Sequence, residues 1–589
     1  MIYRFGLAVV LAVVVGCHGS DAVAPVVASS DLSTMNVGEV RVYTPADVPN
    51  GLQLASTPTA RDFVVIVGNT SSQQDVVSTY VVRADRIGGT SMLSSDVSGA
   101  PRLASVVLGS QNVGGSPQQM LDMKVRGFER SSLRLSVPSG GMGLTRFTPR
   151  ASASVAATAA VPAVGDRLSL KIPDASTTDL CANFIRTQAV VASVSRRAIL
   201  AVDTLDGPPL ALFTQAQLDS ITQEYDNITY PTDSSYFGNP TDVDANGHVI
   251  MLFTGQINKL TPAGQSSFIG GFFFGGDFFP TTGTQPGTFC QESNNAEIFF
   301  LLSPDPTGRF GNVRTTSSVR QGTRGTIAHE FQHMINAGNR YLDRNQCCFE
   351  VTWLDEALAH LAEDAVGRVQ RGFGDLQTLT LADLVPAGNQ AASDDFSAFF
   401  FQNFARLTYW MQRPDTSSGI SAHADANLSS RGAAWSIVRY SADNYSNGDA
   451  RALARKLAAG PDTGTKNLSV SDKAPLDSIV AGWLVANYAD HLGIPGLDAK
   501  YQFRSYNFRN IMPSVARSVT NSQASVYPLQ VRPIGSGTDN ISATNQTGSG
   551  TYYRLSVAAS SGDRTVKVLD PSGAVATFPG AHIYVLRVQ

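Results

Sequence analysis

The chain has 589 residues, of which 43% are hydrophobic and 16% charged, and a formal net charge of -4. That length exceeds what one hydrophobic core organises, so three or more domains are expected. The composition excludes a disordered or multi-spanning chain. No block of Lys or Arg stands out, which argues against nucleic acid as a partner.

In chain order, Arg4 precedes an unbroken apolar run from Leu7 to Val15. The run is too short to span a bilayer and has the length of a signal-peptide core. It ends Val14-Val15-Gly16-Cys17, which resembles the lipobox of bacterial lipoproteins. The resemblance implies removal of residues 1–16, lipidation of Cys17, and an exported chain anchored to a membrane by several acyl chains. His18 and Gly19 follow the cysteine with no Asp at either position, which by resemblance to enterobacterial sorting points to the outer membrane or cell surface. Residues 17–36 are small and polar, as a tether requires.

Residues 37–150 read as an N-terminal β domain. Val40–Tyr43, Phe63–Val67 and Tyr80–Arg83 are β-branched runs bounded by turn formers, the pattern of a small sandwich. An Ala, Ser, Thr, Val and Pro stretch over 151–164 is a linker. Residues 165–500 form the next domain. It opens with a helix over 214–228, strands over 249–254 and 297–302, and a Phe- and Gly-rich loop or hairpin from Phe268 to Phe279. After residue 320 the periodicity is mostly helical, to about 490. Strand signals return over 501–589, so a C-terminal β domain is expected, and the fold class is multidomain α+β with flanking sandwich-like domains. Between the first helix and strand, Asp242, Asp244, Asn246, Gly247 and His248 match the first half of an EF-hand loop, with Phe253 where the last acidic ligand belongs. Ca2+ there needs a carboxylate from elsewhere in the fold; the alternative is an Asx-rich turn.

Besides Cys17 there are Cys181, Cys290, Cys347 and Cys348. In an exported chain an even number suggests disulfides, and four cysteines allow three pairings. The adjacent pair bridging each other is one; Cys347 and Cys348 each joining a distant cysteine is the arrangement favoured here. With no C-x-x-C pair, a Cys-rich zinc site is not expected.

The chemistry concentrates at Thr326-Ile-Ala-His329-Glu330-Phe-Gln-His333-Met-Ile-Asn336, an H-E-x-x-H string. On a helix, His329 and His333 leave one face and can share one Zn2+. Glu330 lies about 100° round the helix, beside the metal position, where it can act as general base toward a water. In a chain with only 8 histidines, such a string arises by chance roughly two times in a thousand, judged on its residue types and spacing. A catalytic zinc needs a third ligand and an open position. The next helix, Trp353-Leu-Asp-Glu356-Ala-Leu-Ala-His360-Leu-Ala-Glu363, sets three ionisable groups at i, i+4 and i+7 on an otherwise Ala- and Leu-rich face. A metal removes the cost of burying them. Glu356 is assigned as third ligand, ahead of Glu350, and His360 and Glu363 as the groups that orient the histidines; a plain hydrogen-bonded pair is the alternative for these two. Tyr440, with Arg439 and His423, is a candidate oxyanion donor.

H-E-x-x-H followed by Trp-Leu-Asp-Glu-Ala resembles the gluzincin peptidases, and the fuller strings resemble the hyicolysin-like neutral metallopeptidases. Weaker similarity covers about 220 to 490, including Tyr236-Phe237-Gly238 and Gly432 to Tyr440. The resemblance implies a zincin-like fold with a sheet subdomain, a helical subdomain and a cleft between them, and zinc-dependent endopeptidase activity on protein or peptide substrates. His360 stands where thermolysin-like members carry an Asp. Two further readings remain: a zinc-containing, non-proteolytic surface-binding lipoprotein, and another zinc hydrolase on the same scaffold.

Overall fold

A computed structural model of the chain describes residues 29–87, 116–135, 160–265, 267–342, 348–421, 427–520, 526–535 and 539–589. The expected signal segment, Cys17, most of the tether, most of the linker, Cys347 and His423 lie outside the described residues. Among the described residues no helix is long and apolar enough to cross a membrane.

Among the described residues fifteen strands form three sheets. They are β1 (Val40–Tyr43), β2 (Leu52–Leu54), β3 (Arg61–Asn69), β4 (Val77–Ile87), β5 (Arg167–Pro173), β6 (Phe184–Val194), β7 (Ala198–Asp203), β8 (Val249–Thr254), β9 (Gly271–Phe273), β10 (Ile298–Leu302), β11 (Val531–Ile534), β12 (Asp539–Gln546), β13 (Ser549–Val557), β14 (Asp563–Leu569) and β15 (Ala581–Arg587). The outer two sheets correct the expectation of two flanking β domains. Their orders are β1-β15-β3-β13-β11 and β12-β4-β14-β2, so strands from both ends of the chain alternate within each sheet. β3 lies between β13 and β15, with Ile66 opposite both Tyr552 and Tyr584. The two ends therefore build one sandwich.

The run Phe63–Val67 explains why sequence patterning could not reveal this. Phe63, Val65 and Val67 enter the sandwich core with Tyr553, Leu555 and Val585. Val64 and Ile66 enter the main core with Tyr552, Tyr584 and the helix Leu476–Ala489. A strand buried on both faces shows no alternation, so the pattern does not say which partners cover it.

The central sheet has the order β5-β6-β7-β8-β10-β9. β7, β8 and β10 run parallel, and the short β9 pairs antiparallel with β10 at the edge. The expected strand at 249–254 is β8, and the Phe-rich stretch supplies β9. The expected helix at 214–228 begins at Gln215, behind a Thr214 capping box, and passes through a π-turn at Tyr225–Thr229 into Tyr230–Phe237. Helices then dominate from Thr316 to Ala489. One further helix, Phe508–Thr520, falls where strands were expected. The first helix, Pro117–Ser132, falls in the segment read as β domain; Ser116 and Gln119 form its capping box, with Pro117 at its first position.

Cys181 and Cys290 bond to each other, which corrects the expected pairing of each with Cys347 or Cys348. Both sit in the central-sheet region, Cys181 just before β6 and Cys290 before β10, and Cys348 is separately disulfide-bonded.

Candidate metal centre

Two long buried helices carry the expected cluster. The histidine helix, Thr316–Leu342, lies under the central sheet, and the glutamate helix, Thr352–Gln370, packs against it. His329 and His333, one turn apart, bring their Nε2 atoms to 3.1 Å. A Glu356 oxygen lies 3.3 Å from His329 Nε2, and the other lies 3.6 Å from His333 Nε2. These three side chains are among the groups whose ligand atoms all fall within 4.8 Å of one another. Tetrahedral zinc with ~2.05 Å bonds sets its ligand atoms about 3.3 Å apart, so the spacing fits that ion. Both Glu356 oxygens are buried; one lies 3.0 Å from the Arg431 guanidinium, and the other makes no hydrogen bond, which a cation would relieve. Glu350, the rival, is committed elsewhere: it pairs with Arg340 at 2.6 Å and accepts from Gly464 N and Asn467 Nδ2.

Each histidine is held through its other nitrogen. Glu363 lies 2.8 Å from His329 Nδ1 and Asp355 3.0 Å from His333 Nδ1. Carboxylates at Nδ1 fix the tautomer that leaves Nε2 free for a metal. Glu363 was expected in this role. Asp355 was not, although it adjoins Glu356; the side chain of Asn336 donates to it. The His360 ring lies against that of His329, with centroids 4.8 Å apart, and His329, His360 and Glu363 form a second group whose ligand atoms fall within 4.8 Å of one another. His360 lies 3.0 Å from Glu363 with the Arg406 guanidinium against its ring, and burial, opposed by Glu363 and reinforced by Arg406, pushes its pKa down to about 3. His360 therefore acts on the cluster through its hydrogen bond to Glu363. Burial raises Glu363, but His360 and His329 outweigh it and hold the carboxyl well below its usual range.

Glu330 accepts a hydrogen bond from the backbone N–H of Phe273 on β9 at 2.9 Å. Burial raises its pKa, partly opposed by the two histidines, the direction a general base near neutral pH requires. Glu330, His329, His360 and Glu363 line a cavity of about 540 Å3 that also meets Arg406, Tyr409 and Arg431.

Sequence reasoning missed Arg431. It follows Gly432's close crossing: a Cβ on Gly432 would stand 2.2 Å from Arg406 C, so only glycine lets the helices Phe401–Gln412 and Leu428–Asn444 approach this closely. That approach brings Arg431 to 3.0 Å from Glu356. Burial raises the Glu356 carboxyl, but Arg431 and the histidines overcome it and hold the group well below its usual range. Tyr440 is elsewhere, with its hydroxyl donating to Lys500 O beside Tyr445 and Phe503. Arg439 is buried with Asp443 and Asp364. Neither lines the cleft, which corrects the oxyanion assignment; their helical positions put them two turns beyond Arg431.

The EF-hand-like turn brings Asp242 and Asp244 together with Glu297, the carboxylate the sequence lacked. Its oxygens already accept from within the turn: Gly247 N on Asp242, Asn246 on Asp244, and Val243 N on Glu297. The His248 ring bonds Asn246 O and Ser195 O. This is the Asx-turn arrangement, and nothing beyond it points to Ca2+.

No protein-family model matches the chain. Over 150 residues it is 31% identical to neutral metalloprotease ShpI of Staphylococcus hyicus, a match covering 26% of this chain and 31% of that protein. The similarity is to a metallopeptidase. The chain thus spans about a third of that relative's length.

Proposed function

We propose that the protein is a zinc metalloendopeptidase of gluzincin type, with His329, His333 and Glu356 as ligands and Glu330 as general base. The observation that carries this reading is the convergence of two Nε2 atoms and a buried carboxylate, paired through one oxygen with Arg431, beside Glu330 at a cleft. When bound, zinc supplies Lewis acidity toward a carbonyl and a water. The chain's own residues do the rest. Glu330, held by Phe273 N–H, takes the proton from the attacking water and hands it to the leaving amine. Glu363 and Asp355 keep both imidazoles in the ligating tautomer. Arg431 puts a fixed positive charge at the cleft wall, where negative charge on the substrate carbonyl develops.

Substrates are proteins or peptides. The similarity to neutral metalloprotease ShpI supports this, as does the cleft itself, which lies beside the sheet-edge strand β9. Export and lipid anchoring at Cys17 belong to the same proposal and rest on the Val14-Val15-Gly16-Cys17 string. Casein hydrolysis that is abolished by 1,10-phenanthroline and restored by added zinc is the expected behaviour. Zinc-loaded protein that hydrolyses neither casein nor mixed peptides, before or after limited proteolysis, would favour the binding-lipoprotein reading instead.

A further inference from the structure

The edge strand beside the metal position is already occupied. The side-chain amide of Gln118, on the first helix, accepts from Gly270 N at 2.9 Å and donates to Gly271 O at 2.9 Å. The amide thereby takes up backbone groups, the outward Gly271 carbonyl among them, that an added strand would otherwise pair with. Further along, Arg126 donates to Phe273 O, and Glu129 accepts from Gly275 N at 2.6 Å. Three side chains of one helix thus occupy the backbone groups of 270–275 in succession.

The same helix reaches the metal cluster. Asp122 lies 2.8 Å from Arg431, which in turn lies 3.0 Å from Glu356. Gln118 donates to the other Asp122 oxygen at 2.8 Å. Asp122 is 6% exposed and Arg126 4%, so these charges are turned inward. Met120 and Met123 are turned out, at 64% and 38%. The helix aims carboxylate, guanidinium and carboxylate at i, i+4 and i+7 inward, and Leu121 and Val125 beside them enter the main core, so polar and apolar contacts both seat it. The preceding strands are not seated that way. β3 is pinned between β13 and β15 over its whole length, so the helix could leave the cleft while the strands stay.

We propose that the helix Pro117–Ser132 is a built-in competitive inhibitor. Gln118, Arg126 and Glu129 hold the substrate-backbone edge, and Asp122 neutralises Arg431 beside the metal ligands. The chain as drawn is then the latent form, and activation is displacement or cutting of that helix. This rests on the zinc-peptidase reading above.

The test uses zinc-loaded full chain, Gln118→Ala and Gln118→Ala/Asp122→Asn, with calorimetric binding of a peptide hydroxamate and turnover of a quenched fluorescent peptide. Apparent affinity falls by the fraction of chains that are open, so the variants should bind the hydroxamate about tenfold tighter or more and turn over substrate faster. A synthetic peptide of residues 116–133 should inhibit the double variant competitively, and its Asp122→Ala version should do so far less. Gln118→Ala removes the strand bonds and one bond to Asp122 but keeps the Asp122–Arg431 pair, and serves if the double variant misfolds. Zinc in all three proteins with equal hydroxamate affinity, and no inhibition by the peptide, would overturn the inhibitor alone. No zinc in any of them would overturn the underlying site and this proposal with it.

Discussion

On the proposed reading, Glu330→Gln is expected to abolish peptide hydrolysis while leaving zinc binding intact. The expected loss in kcat is ~10²–10⁴-fold, the range for removing a positioned general base. Glutamine keeps the shape, and its side-chain oxygen can still accept from Phe273 N–H, the bond that holds Glu330 at 2.9 Å. His329, His333 and Glu356 are untouched, so zinc content should match wild type. Steady-state kinetics with a fluorogenic peptide, paired with metal analysis, make the check. Equal loss of zinc and activity would recast Glu330 as a packing residue.

Asp364→Ala is expected to cost about 3–5 kcal/mol of stability, because it strands buried charge. Asp364 accepts from Arg368 at 2.9 Å, faces Arg439 at 3.5 Å and accepts from the Tyr506 hydroxyl. All four side chains are at most 1% exposed. Arg368 also donates to Gly374 O, Gln377 O and Ser505 O. The network ties the C-terminal half of the glutamate helix to the Leu428–Asn444 helix, which carries Arg431. Removing the carboxylate leaves two guanidinium groups competing for Asp443 and the surrounding carbonyls. Asp364→Asn keeps an acceptor and should fall between wild type and Asp364→Ala. Denaturant unfolding of the three proteins measures this, and an unchanged midpoint for Asp364→Ala would show that the carboxylate is replaceable there.

The part of the site that the sequence exposed is the part carried by local periodicity. H-E-x-x-H fixes two imidazoles by helix geometry alone, and the acidic face of the next helix needed a partner whatever the fold. Asp355 was hidden because it lies one residue, about 100°, from Glu356, and so falls off the face that the i, i+4, i+7 pattern selects. Arg431 was hidden because its approach depends on a helix crossing at Gly432, and crossings are not written in one helix's periodicity. The same spacing used for Glu356, His360 and Glu363 recurs at Asp122, Arg126 and Glu129. It sits in a segment whose neighbours read as strands, and its Ser116-Pro117-x-Gln119 start was the available signal.

The fold divides in the same way. Central-sheet strands such as Val249–Thr254 are short apolar runs whose type local pattern resolves. The single sandwich built from both ends depends on pairings about 500 residues apart, such as Ile66 with Tyr552 and Tyr584. Strand patterning names the strands and leaves their partners open. Cysteine pairing shares that limit: parity predicts bonding, and only the fold selects Cys181 with Cys290.

The most direct measurement is zinc content by elemental analysis of the purified full chain, Glu356→Ala and His333→Ala after dialysis against a weak chelator. The geometry predicts one zinc per wild-type chain and less in both variants, each of which lacks one of three converging ligands. Wild-type protein without zinc, or Glu356→Ala retaining a full equivalent, would contradict the proposed centre.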